Sequence, residues 1–211
     1  MKYSRNEALE DQLLSEMMDW MSDDRKHPTL TDLIYCMTKS FMYSRDKNMQ
    51  RSRKTKLFFL YGLGLEKALL IMRGGKSLDI APSHMGIQYH SDSLIEKDMI
   101  EAKSTRMGIK VEPDEFPMGW KRQAMGYCLA EGIKELDFAV MHIIQAEIQC
   151  WHVEFTQEEL DTNWEWIMMR KPIWDRAEET GIPPRPFTTN EDWECKDCEL
   201  LAYCKGMTGR L

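Results

Sequence analysis

The sequence predicts one α/β domain with a helical front and a cysteine-bearing end, and three observations carry that expectation. A chain of 211 residues, 43% of them apolar, is long enough to bury one sizeable core. The hydrophobic pattern changes along the chain, from helical spacing in the first third to strand-like alternation in the middle. Cys195, Cys198 and Cys204 crowd the C-terminus as a C-x2-C-x5-C run, with Cys36 far upstream. The expected organisation of the single domain, residues 1–211, is a helical part over 1–75, an α/β core over 76–156, and a helix plus cysteine run over 157–211.

Residues 7–21 read as an amphipathic helix. Residues 31–44 and 56–72 read as two more, the last stopped by Gly74-Gly75. Residues 86–94 and 95–104 read as strands, 119–129 as a helix, and 138–146 with 148–155 as a hairpin. Thr156-Gln-Glu-Glu159 opens another helix with a capping box. Gly181-Ile-Pro-Pro-Arg-Pro186 is a stiff linker delivering Trp193 and the cysteines. There is no internal repeat or low-complexity tract.

Nothing at the N-terminus resembles a secretory signal, and no apolar run reaches the about 18 residues of a membrane span, so the expected location is the cytoplasm. In a reducing compartment six cysteines argue for metal ligation rather than disulfides. Four thiolates hold zinc or an iron–sulfur cluster, and ligands from both ends of the chain would make the site a clasp. The net charge of -7 requires any DNA site to be a local basic groove on an acidic body. Six of the twelve residues from Arg45 to Lys56 are Arg or Lys, and Lys121 and Arg122 begin the helix of Gln123. A solvated surface and a phosphate-screening groove both fit this run.

The segment from Asp92 to Lys103 carries candidate chemistry. On a strand Glu101 and Lys103 point the same way. With Lys97-Asp98 as a two-residue turn, Asp92 faces Lys103 across the hairpin and all three polar groups share one face. An acidic pair holds a divalent cation through hard oxygen ligands, and a neighbouring lysine orients or deprotonates the attacking water. That is phosphodiester-hydrolysis chemistry, although an isolated E-x-K also fits the solvated face of a strand. Gln123 and Tyr127, four apart, share a face of the following helix.

In content and order these parts resemble the RecB-like branch of the PD-(D/E)XK nucleases, and within it the CRISPR-associated iron–sulfur exonucleases, the family of the fourth Cas protein. The matching pieces are Leu33-Ile-Tyr-Cys36, Asp92, Glu101 with Lys103, Gln123 with Tyr127, Trp193 and the three C-terminal cysteines. The resemblance implies a restriction-endonuclease-like mixed sheet flanked by helices, with a helical cap bearing the cysteines. It implies Mg2+ or Mn2+ on Asp92, Glu101 and the carbonyl of Ala102, Lys103 assisting the water, and Gln123 and Tyr127 positioning DNA. It implies a 4Fe-4S cluster on Cys36, Cys195, Cys198 and Cys204. The implied activity is exonucleolytic cleavage of single-stranded DNA ends, trimming prespacers alongside the Cas integrase proteins.

Two departures stand out. Where the family's first motif supplies a histidine, Gly62-Leu-Gly-Leu-Glu66 offers Glu66 as the ligand, and a carboxylate suits the same hard metal. Lys39 stands in for an arginine after the first cysteine, without its fork geometry. A stand-alone nuclease of a phage or mobile element is the neighbouring alternative. A non-enzymatic zinc–cysteine DNA-binding module is the distant one.

The remaining notable residues read as structural. Cys128 and Cys150 are expected in the core, as is His142, while His84 falls in a loop and His152 has no evident partner. His90, two before Asp92, shares its face and could reach a phosphate. Trp151, Trp164, Trp166 and Trp174 are expected to pack the core or the C-terminal helix. Seventeen methionines suit an irregular core or a partner surface.

Overall fold

A four-stranded mixed sheet organises the chain, and its centre is the parallel pair β4 (Asp98–Thr105) and β5 (Glu135–His142). On the outer sides, β3 (Ser93–Ile95) pairs antiparallel with β4, and β6 (Glu147–Glu154) pairs antiparallel with β5. The computed structural model describes residues 7–21, 28–46, 52–72, 82–95, 98–186, 193–196 and 198–208. The predicted Gly74-Gly75 stop and the middle of the basic run lie outside them.

Alternation on the central strands sorts their side chains. Leu136, Phe138, Val140 and His142 are buried on one face of β5, and Glu101, the register partner of Phe138, shares that face. Helices α2 (Leu30–Ile34), α3 (Met37–Arg45), α5 (Met118–Glu131) and α6 (Gln157–Thr180) build the core with it, around Leu33, Phe41, Ile167 and Trp174. Gly126 permits the close α2–α5 approach, because a Cβ there would stand 2.7 Å from Leu30. The first helix, α1 (Glu7–Met21), packs on α4 (Arg53–Met72) through Leu14, Leu60 and Leu63. The Thr156 capping box forms as the sequence predicts.

Several expectations change. The single helix expected over 31–44 is broken: Tyr35 is extended, and Cys36 is the N-cap of α3. Arg170 causes the break, since its guanidinium donates to the Leu33 and Tyr35 carbonyls and so occupies acceptors a continuous helix would use. The strand expected over 86–94 is two pieces. Met85 and Gly86 turn with positive φ, so β1 (Ser83–His84) and β2 (Ile87–Gln88) form their own small hairpin; His84 lies in β1 with its ring on Trp164. The β3–β4 register pairs Ile95 with Asp98, which sets the turn one residue earlier than Lys97-Asp98. That moves each partner by two residues, so the faces survive.

Cys150 is exposed rather than core, because β6 is an edge strand and this side of it faces water. Cys128 and His142 are buried as expected. His152 does have a partner, Asp137, at 2.9 Å. Of the basic residues, Arg45 pairs with Glu178, Arg53 with Glu10, Lys121 donates to the Asp114 carbonyl, and Arg122 stacks 3.7 Å over Trp166. The Arg45 and Arg53 pairs lie at the surface, with those side chains 51% and 42% exposed.

The chain's end ties to its front through two short helices, α7 (Trp193–Lys196) and α8 (Leu201–Thr208). The Cys36 N–H donates to Glu194 Oε1 at 3.1 Å, and the Thr38 hydroxyl to the Pro184 carbonyl at 2.9 Å. Glu199 accepts from the Ser52 N–H at 2.9 Å, the Thr55 hydroxyl at 2.8 Å and the Tyr43 hydroxyl at 3.3 Å. Partial burial would raise its pKa, but these hydrogen bonds outweigh burial and hold the carboxyl down to about 2. A depressed acid stabilises the fold above its ordinary value near 4.5 and loses that contribution as pH falls toward 2. Limited proteolysis of residues 193–208 should therefore accelerate through this window in the wild type. Glu199→Gln should be cut readily at neutral pH and lose the acid step, as peptide mass spectrometry would read.

Candidate active site

The β3–β4 hairpin delivers the acidic pair. Asp92 immediately precedes β3, and its Oδ2 accepts from the Ala102 N–H at 2.6 Å. The shifted register places Asp92 across from Glu101, where the expected turn would have placed it across from Lys103. Glu101 has no solvent exposure, yet it stands on a strand that presents Lys103 two residues on along the same face.

Lys103 and its neighbours form a chain of donors and acceptors. Its ammonium donates to Glu101 Oε1 and, at 3.0 Å, to Gln123 Oε1. The other end of the Gln123 amide donates to the Tyr127 hydroxyl at 2.7 Å. The four-residue spacing on α5 thus puts Gln123 and Tyr127 in contact with each other and with the strand. An ammonium has three donors, two of which are committed to protein here.

Glu66, Asp92, Gln123, Tyr127 and His90 line one cavity of about 60 Å³. Glu66 comes from α4, so elements distant in sequence converge. Burial and the nearby Asp92 raise the Glu101 carboxyl above its ordinary value, against the lowering effect of Lys103, and Glu66 adds to the rise. Burial would lower the Lys103 pKa, but Glu101, Tyr35 and Asp92 outweigh it and keep the ammonium charged. Tyr127 is raised well above its ordinary value by burial and by the same carboxylates.

Glu101 Oε2 is buried with no hydrogen-bond partner. Such an oxygen costs about 1–3 kcal/mol, more when charged, unless something satisfies it. Asp92 and Glu66, which line the cavity, both act on the buried Glu101 carboxyl, and carboxylate oxygens are the hard ligands a divalent cation takes.

The four cysteines of the sequence motif act on one another electrostatically, but no three of their sulfurs lie within 4.8 Å of one another. Burial and its neighbours Cys36, Cys198 and Cys195 push the Cys204 thiol up to about 11. Burial raises Cys36, and Glu194 and Cys198 add to it.

A different cluster was not foreseen. Glu135, His152 and Glu154 have ligand atoms within 4.8 Å of one another and could hold a divalent metal ion. Among the described residues this is the one group so closely drawn; the Glu66, Asp92 and Glu101 oxygens are spaced more widely. All three side chains are exposed, on the sheet face opposite Glu101, and the cluster contains no lysine. Cross-strand pairing of Glu135 with Glu154 and of Asp137 with His152 assembles it, which no sequence spacing signals. Sequence reasoning also missed Tyr89, which lines the cavity and whose hydroxyl donates to Glu131 at 2.8 Å.

Comparison with protein families and with curated proteins gives no match. Among solved structures, the chain is similar to the crystal structure of SSO0001, with a TM-score of 0.59, 18% identity, and coverage of 96% of this chain and 97% of that one. The two share a fold over nearly their whole lengths. A second match is the crystal structure of a phage-related exonuclease from Haemophilus somnus 129PT, with a TM-score of 0.43, 14% identity, and coverage of 79% and 94%. Among the described residues no helix is long and apolar enough to cross a membrane.

If Glu101 is a cation ligand, Mn2+ should raise the melting temperature of the protein. At a hundred times the dissociation constant the gain is about 2.7 kcal/mol, or roughly 5–10 °C for a chain of this size. Glu101→Gln should cancel most of that shift in a calorimetric scan. The same shift in Glu101→Gln, abolished instead by His152→Ala, would move the metal to the opposite sheet face.

Proposed function

We propose that this protein is a metal-dependent DNA exonuclease acting on single-stranded ends, of the RecB-like PD-(D/E)XK type. The observation that carries the reading is the fully buried Glu101, with one oxygen on Lys103 and the other unpartnered, beside Asp92 at a cavity lined by Glu66, Gln123 and Tyr127. A bland salt bridge on a solvated strand would leave both groups wet. Burying a carboxylate beside other carboxylates is costly, and a cation offsets that cost.

In this reading Glu66, Asp92, Glu101 and the Ala102 carbonyl hold Mg2+ or Mn2+, which supplies Lewis-acid charge at the scissile phosphate. Asp92 is fixed by the Ala102 N–H, so one carboxylate oxygen is oriented before any ligand arrives. Lys103 directs its third donor toward the attacking water and offsets charge developing on the phosphate. Gln123 sets the Lys103 ammonium by its carbonyl oxygen, and with Tyr127 presents polar edges to the DNA strand.

Cys36, Cys195, Cys198 and Cys204 hold a 4Fe-4S cluster that locks the C-terminal segment onto the α2–α3 break. What supports this is the shared electrostatic neighbourhood of the thiols together with the cysteine order in the sequence. Within the cytoplasm the proposed role is trimming prespacers for CRISPR adaptation, in company with the Cas integrase proteins; the motif order is its support.

Asp92→Ala, and Lys103→Ala measured below its lowered melting temperature because it leaves Glu101 unpaired, should lose Mn2+-dependent cleavage of single-stranded DNA by about 100-fold or more, in the range seen when one charge-stabilising donor is removed. Glu66→Gln should instead raise the Mn2+ concentration giving half-maximal activity. Cleavage that persists in EDTA would end the nuclease reading, and a superimposable titration would remove Glu66 from the metal. Anaerobically purified protein should contain iron and acid-labile sulfide; stoichiometric zinc without iron would replace the cluster but keep the clasp.

A further inference from the structure

One row of side chains on α4 follows β4 outward from the candidate site. Glu66 lines the cavity with Asp92. One turn earlier on the helix, a Cβ added to Gly62 would stand 3.9 Å from the Ser104 Oγ. A further turn back, the guanidinium of Arg106, the residue after Thr105 at the end of β4, lies 4.9 Å from the centroid of the Phe58 ring. Residues 58, 62 and 66 are spaced by four and share one helix face, which Lys54 begins a turn before them. As the α4 numbers fall, those of β4 rise, so helix and strand run in opposite directions and the seam between them leads from the cavity to the surface.

The row changes character along its length. Phe58 stands about 12 Å from Glu66 along the helix, at about 1.5 Å per residue. Between them Gly62 offers no side chain, and among the described residues Ser104 alone comes within 4 Å of a Cβ built there. At the outer end the Phe58 ring is 38% exposed, and Lys54 and Arg106 are exposed beside it. Arg53 takes no part, because it pairs with Glu10 and Asp11 on the α1 side. Single apolar residues are common on protein surfaces. This ring differs in standing between two cations, on a row that ends at a cavity lined by carboxylates.

We propose that this seam is the path of a single DNA strand into the candidate site, and that Phe58 makes the path selective for unpaired bases. A base that has left its stack lies on the Phe58 ring, which Arg106 holds in place by its cation–π contact. Lys54 and Arg106 screen the phosphates. The sugar–phosphate backbone then passes Gly62, where no side chain obstructs it, to reach the cavity of Glu66. A duplex keeps its bases stacked on one another and gains nothing from the ring. The inference rests on the nuclease reading only where it treats the cavity as the reacting end of the path.

Fluorescence anisotropy with the full-length protein, without added divalent metal, tests the path separately from cleavage. The probe is a labelled oligothymidylate of about 12 nucleotides, within the usual site sizes of single-strand binders. Phe58→Ala should weaken binding about tenfold, in the range for losing one stacked base. Phe58→Leu, which keeps an apolar side chain without a ring, should weaken it equally, and Phe58→Tyr should restore it. An abasic strand of the same length should bind wild type and Phe58→Ala alike. Arg106→Ala should weaken binding and lower the salt dependence by about one phosphate contact. Unchanged affinity in both Phe58→Ala and Phe58→Leu, an equal loss with the abasic strand, or a wild type that binds no oligonucleotide would overturn the proposal. Self-association lost in Phe58→Ala, with oligonucleotide affinity unchanged, would give the face to a second copy of the chain and overturn it too. The expected binding pattern in a protein that cleaves no DNA with Mn2+ would fail the nuclease reading alone.

Discussion

The buried pair of Glu101 and Lys103 is the constraint around which the rest is arranged. A fully buried carboxylate loses its hydration, and breaking such a pair by removing one partner costs about 3–5 kcal/mol. The fold meets this demand with Lys103 from the same strand, held in turn by Gln123 from the helix above, while Asp92 across the hairpin adds a second negative group. The Gln123–Tyr127 contact then carries the network away from the strand. One oxygen of Glu101 is left over, and a structural ion pair has no use for it.

The second organising feature is the helix break at Tyr35-Cys36. Arg170 takes the carbonyls that would continue α2, and Glu194 takes the first N–H beyond. A guanidinium suits this task because its fixed fork reaches two acceptors at once. The same residue stacks on Trp166, whose ring also meets Arg122, the neighbour of Gln123. Packing thus joins the C-terminal segment, the long helix α6 and the helix above the candidate site.

Reading the sequence located most elements because their signals are local. The boundaries of α1, the capping box at Thr156 and the β5–β6 hairpin needed only periodicity and cap chemistry. The Asp92–Glu101–Lys103 face was legible for a similar reason: side chains alternate along a strand, so moving the turn by one residue changed partners without changing faces. The division at Tyr35 was not legible, since its cause, Arg170, stands far along the chain.

What the sequence determined by itself was therefore the kind of element at each place and which polar groups each element carries on one face, because both follow from backbone periods of 2 and 3.6 residues. Tertiary structure decided which of those faces meet. It brought Glu66 to the cavity of Asp92, set Tyr35 over Gly119, tied the cysteine segment to Cys36, and gave Arg45, Arg53, Lys121 and Arg122 their partners among carboxylates, a carbonyl and an indole. It also assembled Glu135, His152 and Glu154 from two strands whose sequences show no such spacing. Burial is the reason for this division: the free energy of a charge depends on every group packed around it, and that set exists only after distant segments close on one another.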